Sequence, residues 1–574
     1  MNVAADTAAS FCATLADEWR RSGLTEAVVC PGSRSTPLAL ALARQEGIRV
    51  SVRLDERGAG FFGVGLAMAS GRAVILLTTS GTAAVELHAA VVEAHHARVP
   101  LIVCTADRPP ELRDVGAPQA IDQLHLYGRA VRWFADPGVP DEAARHAWRS
   151  LASRAVAEAE HGALGPGPVH LNLAFREPLL GRAGSLPPAR PAGGAWHDVR
   201  HAKTPDLDVV RDQLPGSDRG VIVAGNAPAL RGVVEALAAE LSWPVLADPR
   251  SGCRTAETHV VGAADALLRD EGFAAEMLPE VVIRCGDPWA SKVLGGWLSR
   301  SAREGAVHIA LDPDGAWRDS GREVAVFVRG GSGAGRFEAR PVGAWLRRWA
   351  DAEARAQGAI DRVLDATADA SEPGATRALF AAVPGGGTIV TSSSMPVRDL
   401  EWFGRPRPEP PRVLANRGAN GIDGVVSTTL GVAASGTGAP VFGLLGDLAV
   451  LHDASALVRP ASGAPPMAAV IVVLDNNGGG IFDFLPQARD LDETEFEQLF
   501  GTPQRPSVAD LLRGCGLFVT EVTAAAQFLP ALAVAGEEAP TAGLPAFVVV
   551  HTERKANVAL HVEIEEAVGA ALRC

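Results

Sequence analysis

Short, largely apolar runs recur along the chain, each followed by a longer stretch whose apolar positions return at helical spacing. The first runs fall at 27–30, 49–52, 73–77, 101–104 and 169–173, with Ala- and Leu-rich helical sequence such as 82–97 between them. A run without polar alternation reads as a strand buried on both faces, and strands that alternate with helices form a parallel sheet covered on both sides. The pattern resumes at 220–224, 244–247, 281–284 and 307–311, and again at 388–391, 412–415, 441–445, 468–474 and 546–550. A Pro- and Gly-rich stretch at 182–194 reads as a linker, and charged helical sequence at 342–368 leads into the third block. The expected architecture is α/β, with three doubly wound parallel-sheet domains over 1–184, 195–345 and 371–574.

Composition narrows the function. At 574 residues the chain is too long for one core, and ~150 residues per domain gives roughly three or four units. Hydrophobic content of 47% and charged content of 21% are those of a globular protein. A net charge of -14 argues against nucleic acid or an anionic membrane as partner. An anionic ligand must then be met by a local cationic cluster. Lysine occurs only as Lys203, Lys292 and Lys555, so arginine has to supply it. The seven cysteines are scattered without a C-x-x-C pair, as in a reduced cytoplasmic protein. Asp6, Asp17 and Glu18 lie on an amphipathic N-terminal segment unlike a signal peptide, and no apolar run approaches the ~18 residues that span a bilayer.

The sharpest local signal lies in the third block. The run at 441–445 ends in Gly446-Asp447-Leu448, a helix is expected over 449–458, and the run at 468–474 ends in Asp475-Asn476-Asn477-Gly478-Gly479-Gly480. Ligands of open α/β sheets bind beyond the carboxyl ends of strands, so Asp447 and Asn476 can converge on one point. With the main-chain carbonyl of Gly478 they supply three oxygen ligands for Mg²⁺ or Mn²⁺, and diphosphate oxygens and water would complete the set. Gly478 and Gly479 let backbone approach phosphates closely. Either segment alone is equally well read as a turn between strand and helix. Together, Gly-Asp and an Asn-Asn about 30 residues later resemble the signature of thiamine diphosphate enzymes. Leu448 stands where many such enzymes have glycine and should narrow the space beside the diphosphate.

That cofactor needs a poorly hydrated carboxyl group to donate to its aminopyrimidine ring. Glu56, in Leu54-Asp55-Glu56-Arg57-Gly58, sits just after a strand and before a Gly- and Phe-rich helix, and is the choice. Taken alone, Asp55 and Glu56 read as acids that complement a helix N-terminus.

Further stretches carry a closer likeness: Pro31-Gly32-Ser33-Arg34-Ser35-Thr36-Pro37, Thr79-Ser80-Gly81-Thr82-Ala83, Asp107-Arg108-Pro109, Gly116-Ala117-Pro118-Gln119, Ser393-Ser394-Met395-Pro396-Val397-Arg398 and Asn416-Arg417-Gly418-Ala419-Asn420-Gly421-Ile422. The chain resembles the 2-succinyl-5-enolpyruvyl-6-hydroxy-3-cyclohexene-1-carboxylate synthases, closely in the first and third blocks and thinly in the middle one. The resemblance implies a pyrimidine-binding, a central and a diphosphate-binding domain, and a homodimer or homotetramer. It implies decarboxylation of 2-oxoglutarate and addition of the succinyl fragment to isochorismate. Arg34, Arg108, Arg398 and Arg417 would bind carboxylates; Ser33, Gln119, Ser394 and Lys292 would also face substrate; Ile422 would prop the cofactor. Ser394, Arg398 and Arg417 join Glu56 as catalytic candidates. Pro118 replaces an Asn common in the family. The alternative is another thiamine diphosphate-dependent 2-oxo acid decarboxylase or carboligase, which needs no arginine cluster. Val221–Asn226 (VIVAGN) could open a nucleotide site but lacks G-x-G-x-x-G, and a buried strand with a turn explains it equally.

Overall fold

The computed structural model describes residues 3–573 except 192, 200–206, 213, 215, 288, 331–339 and 461–462. Three six-stranded, all-parallel sheets are present, as the apolar runs require. The first comprises β1 (Glu26–Val29), β2 (Arg49–Val52), β3 (Val74–Thr78), β4 (Leu101–Asp107), β5 (Phe134–Ala135) and β6 (Pro168–Ala174), in the order β2-β1-β3-β4-β6-β5. The second comprises β7 (Gly220–Ala224), β8 (Val245–Ala247), β9 (Val260–Val261), β10 (Val281–Cys285), β11 (Val307–Leu311) and β12 (Val324–Val328), in the order β12-β11-β10-β7-β8-β9. The third comprises β13 (Thr388–Thr391), β14 (Arg412–Ala415), β15 (Val441–Gly446), β16 (Val470–Asp475), β17 (Phe518–Val522) and β18 (Ala546–His551), in the order β14-β13-β15-β16-β18-β17.

The chain forms two compact units. One consists of Met1–His201, Asn416–Gly438 and His452–Met467, and holds the first sheet; the other consists of Ala202–Ala415, Ala439–Leu451 and Ala468–Cys574, and holds the other two. In the first unit, Phe11, Leu15 and Trp19 of the helix Val3–Arg21 pack with Leu38, Leu77, Ile102 and Leu171. The helices Glu56–Ser70 and Val425–Ala434 meet backbone to backbone: a Cβ on Gly65 would lie 2.1 Å from Thr428 O, and one on Gly431 would lie 2.2 Å from Phe62 O. Glycine in this helix therefore serves close approach and not flexibility. In the second unit, Trp297 and Trp349 share a core with Ile564 and Val568, so the C-terminal helix Arg554–Arg573 packs on the long helix Ala344–Ala366.

Several local expectations change. Four of the six edge strands are additions to the expected set: β5 and β9 are two residues long, β17 (FVTEV) includes Thr520 and Glu521, and β12 (VAVFV) is apolar throughout but only partly buried. The helix expected over 82–97 breaks at Leu87 into Thr82–Glu86 and His88–Ala97. The helix expected over 449–458 starts earlier, at Asp447, and ends at His452. The Pro-rich stretch at 182–194 does not hang free: Arg182 N donates to Asp6, Gly184 N to Ser10 Oγ, and Arg149 Nε to Pro187 O. Six cysteines are free thiols, and Cys574 lies outside the described residues. No helix among the described residues is long and apolar enough to cross a membrane.

The second sheet reverses its strand order once, and the first and third reverse it again at the edge where β5 and β17 lie outside β6 and β18; a central switch point opens a crevice at the strand ends. In the first sheet it lies between β1 and β3, and in the third between β13 and β15. In the second it lies between β7 and β10, where the chain fills its own crevice. There Asn226 bridges Asp287, Asn226 Nδ2 donates to Asp287 Oδ2 at 3.1 Å, and a Cβ on Gly225 would collide with Asp287 O. The VIVAGN segment is thus a strand and a closed turn.

Candidate active site

At the end of β15, Gly446 passes into Asp447, the first residue of the helix Asp447–His452. Asp447 is buried, and its two oxygens accept from Leu448 N at 2.8 Å and Gly478 N at 2.7 Å. The second bond ties this loop to the one that follows β16. Gly478 has φ +144°, and a Cβ there would lie 2.0 Å from Gly501 O, so only glycine fits. Gly479 N donates to Gly501 O at 2.8 Å and fixes the same turn. Asn476 Nδ2 donates to Glu372 Oε1 at 2.8 Å, whereas Asn476 Oδ1 is buried and has no partner. A buried carbonyl oxygen without a protein partner is open to a water molecule or an ion. Burial pushes the Asp447 carboxyl up to about 7, with Asp475 adding like-charge repulsion. A cation beside it would reverse that balance. Among the described residues no group of three His, Cys, Asp or Glu gathers to hold a metal. The donors available here are one carboxylate, one amide oxygen and main-chain carbonyls, which suits a hard cation such as Mg²⁺.

Across the same switch point, β13 leads to Ser394, which precedes the helix Met395–Phe403 with φ +74°. That backbone is costly for a residue with a Cβ, and such residues cluster at functional sites. Arg398 Nη1 donates to Ser394 O at 2.6 Å, so the helix holds the two together. One turn on, Glu401 is buried, and its oxygens accept from Ala290 N at 2.8 Å and Ser291 N at 2.9 Å. Ser291 caps the helix Lys292–Arg303. Lys292, exposed at the start of that helix, is therefore anchored to the helix that carries Arg398.

The first unit holds the other named residues. Asp55 caps the helix Glu56–Ser70, accepting from Arg57 N at 3.0 Å, and Glu56 is its first residue. Burial lifts the half-buried Glu56 carboxyl above its ordinary value, and Asp55 and Glu86 add repulsion. At the β1–β3 crevice, Ser80 Oγ donates to Gln119 O at 3.0 Å, Gln119 Nε2 donates to Ser80 O at 2.9 Å, and Arg108 donates to Ser80 Oγ. Arg34 is buried and donates to Phe175 O at 2.9 Å and to Glu177 at 3.0 Å. Its charge helps burial to lower the Arg108 pKa, so the two guanidiniums are close enough to repel. Ser33 lies exposed in the loop before Arg34, with its carbonyl accepting from Thr36 Oγ1 at 2.7 Å; Pro118 is exposed. Arg417 and Ile422 lie on the loop before the helix Val425–Ala434, and both are half-buried.

Comparison with known proteins shows which family the chain belongs to. Residues 10–126 match the model described as thiamine pyrophosphate enzyme, N-terminal TPP binding domain. The chain is 43% identical over 576 residues to the 2-succinyl-5-enolpyruvyl-6-hydroxy-3-cyclohexene-1-carboxylate synthase of Thermobifida fusca, covering 97% of this chain and 98% of that one. This chain belongs to that synthase family. The synthase of Geobacillus thermodenitrificans is 41% identical over 581 residues, covering 96% and 94%, and that of Myxococcus xanthus is 39% identical over 584 residues, covering 97% of each. The chain is accordingly a thiamine diphosphate enzyme and a transferase.

Three buried carboxylates that hold the candidate segments are not expected from the sequence. In this synthase, Glu93 is buried on the helix His88–Ala97 and accepts from Gly418 N and Ala419 N, both at 2.7 Å, so it pins the loop of Arg417 and Ile422. A lone acid within the apolar run Ala90-Val91-Val92-Glu93-Ala94 was the available signal. Glu401 stands three residues after Arg398, one turn along the same helix. Glu372 had no local signal, because an acid at a helix start is ordinary.

Proposed function

We propose that this chain decarboxylates 2-oxoglutarate and joins the succinyl fragment to isochorismate, giving 2-succinyl-5-enolpyruvyl-6-hydroxy-3-cyclohexene-1-carboxylate for menaquinone biosynthesis, with thiamine diphosphate and Mg²⁺ or Mn²⁺. Identity of about two residues in five to synthases over nearly the full chain supports the reaction. The observation that carries the cofactor site is the buried, unpartnered Asn476 Oδ1 beside the buried Asp447. When bound, thiamine diphosphate supplies a nucleophilic carbon and a sink for the electron pair released by decarboxylation.

The protein supplies position and charge. Asp447, Asn476 and the Gly478 carbonyl would hold the cation, with Gly446, Leu448 and Gly479 lining the diphosphate. Glu56 keeps its proton more readily than an exposed carboxyl and would present it to a pyrimidine nitrogen. Ile422 would support the cofactor from its loop. Isochorismate carries two carboxylates and the succinyl fragment one, and the arginine fork grips such groups in bidentate fashion. Arg34, Arg108, Arg398 and Arg417 take that role, with Ser33, Gln119, Ser394 and Lys292 as hydrogen-bond partners. Arg108 and Arg398 are already held by Ser80 and Ser394, so less ordering is left to binding. The enzyme acts in the cytoplasm as a homodimer or homotetramer.

A coupled assay tests this reading by following loss of isochorismate absorbance with all four components and with each omitted in turn. Turnover that needs thiamine diphosphate, a divalent cation, 2-oxoglutarate and isochorismate is expected. Release of CO₂ with isochorismate untouched would replace the acceptor. Sedimentation of the active species checks the oligomer, and a monomeric active enzyme would refute it.

A further inference from the structure

Glu372 opens the helix Glu372–Ala382 behind the cap Ser371, yet it is 1% exposed. An acid that merely complements a helix N-terminus stays in water; one removed from water needs donors. Its Oε1 accepts from Asn476 Nδ2 at 2.8 Å and from Thr552 Oγ1 at 3.2 Å. Thr552 N in turn donates to Asp475 O at 2.9 Å, so the partner of Asn476 is registered to the end of β16 itself. Burial and the like charge of Asp399 push the Glu372 carboxyl up to about 7, and His561 opposes that shift: its Nε2 lies 3.0 Å from Asp399 Oδ1 and its Nδ1 lies 2.8 Å from Asn557 O, so both ring nitrogens face acceptors.

The asparagine amide has one donor end and one acceptor end, and a rotation by half a turn exchanges them. Glu372 Oε1 already takes two donors, and Oε2 is the oxygen left to carry any proton, so Oε1 faces the amide as an acceptor. With Glu372 on one side, the rotated amide would set Oδ1 against Oε1 and lose the bond. Gly480 clears the space for the Asn476 side chain in either orientation, because a Cβ there would lie 2.5 Å from Asn476 Nδ2, so the choice between them falls to Glu372. The amide oxygen is thereby left buried and unpaired on the side away from Glu372.

We propose that Glu372 is the positioning residue of the cation site, taking the Asn476 N–H₂ so that Asn476 Oδ1 is presented to the metal. This rests on the reading of Asp447 and Asn476 as cation ligands. Outer partners of this kind typically tune metal affinity by about ten- to a hundredfold.

The test is Mn²⁺ binding with thiamine diphosphate present, read from free Mn²⁺ by electron paramagnetic resonance. It compares E372A, E372M and E372Q, each in the natural sequence and in an N476D background. E372A and E372M should weaken binding about ten- to a hundredfold, while E372Q, whose amide oxygen still accepts, should stay within about threefold. With N476D both ligand oxygens are alike, so there is nothing to orient and a facing carboxylate only repels. There E372A and E372M should leave Mn²⁺ affinity unchanged or improve it. E372M fills the volume of the glutamate and answers the question should E372A fail to fold. Equal losses in both backgrounds would reduce Glu372 to a structural support and overturn the proposal, as would natural-background affinities within about twofold for E372A and E372M. Absence of Mn²⁺ binding by the unmodified protein would instead overturn the ligand assignment on which the proposal stands.

Discussion

Removal of the Glu93 carboxylate should loosen one loop and spare the rest of the fold. Its two oxygens each take a backbone N–H at 2.7 Å, from Gly418 and Ala419. Hydrogen bonds to a charged group contribute ~1.5–3 kcal/mol each. Two offsets reduce the sum. Gly418 is half-buried and Ala419 exposed, so both N–H groups can turn to water, and burial already lifts the Glu93 carboxyl above its ordinary value. The net cost of Glu93→Ala is about 2 kcal/mol, spent on opening 416–424. At 1.4 kcal/mol per tenfold, amide exchange in that loop should accelerate ~30-fold. Glu93→Gln keeps one acceptor and should fall near the middle on a logarithmic scale. Hydrogen exchange by mass spectrometry reads the loop, and steady-state kinetics reads its consequence, a raised KM as Arg417 and Ile422 lose their mooring. Exchange over 416–424 no faster than in the unmodified protein would refute the mooring. Faster exchange with unaltered kinetics would remove the loop from the site.

Four further outcomes are expected. Glu56→Gln should keep cofactor affinity within a few-fold and slow turnover by ~10²–10⁴, and an unchanged rate of H/D exchange at the cofactor's reactive carbon would dismiss the role. Gly478→Ala should abolish cation-dependent cofactor binding, since its φ of +144° and the 2.0 Å approach to Gly501 O admit no Cβ; calorimetry showing normal affinity would contradict this. Arg398→Ala should cost ~1.5–3 kcal/mol in apparent substrate binding, and an unaltered KM for both substrates would exclude it. Asp453, buried and bonded to Ser427 N at 2.6 Å, has its carboxyl pushed up to about 6 by burial. The folded state therefore binds this proton more tightly than the unfolded chain. The resulting stability is fully present below about pH 4 and lost as pH rises through about 6. Asp453→Asn should lack that loss and gain in relative stability between pH 5 and 7.5, and the same urea-midpoint difference at both values would refute it.

Three parallel sheets were legible because interior strands of such sheets are buried on both faces and read as unbroken apolar runs, as in Val74–Thr78 and Val470–Asp475. Edge strands meet only one neighbour and stay partly exposed, so β17 carries Thr520 and Glu521 and blends with loops, whereas β12 (VAVFV) is apolar throughout and its place at an edge is set by the sheet alone. Asp447 and Asn476 were legible for a related reason: chain direction alone puts the ends of adjacent parallel strands together, and both residues follow such ends. Pairings across the chain were not. Glu372 reaches Asn476 over 104 positions, Glu401 reaches Ser291 over 110, and Glu93 reaches Gly418 over 325. Each is an acid on an ordinary helix until folding dries it and brings it a donor. The sequence by itself determined which strands form and which groups stand at their ends, because those follow from local periodicity. Only the tertiary structure decided which acids are buried against which N–H groups, because desolvation belongs to the whole fold and not to any segment of it.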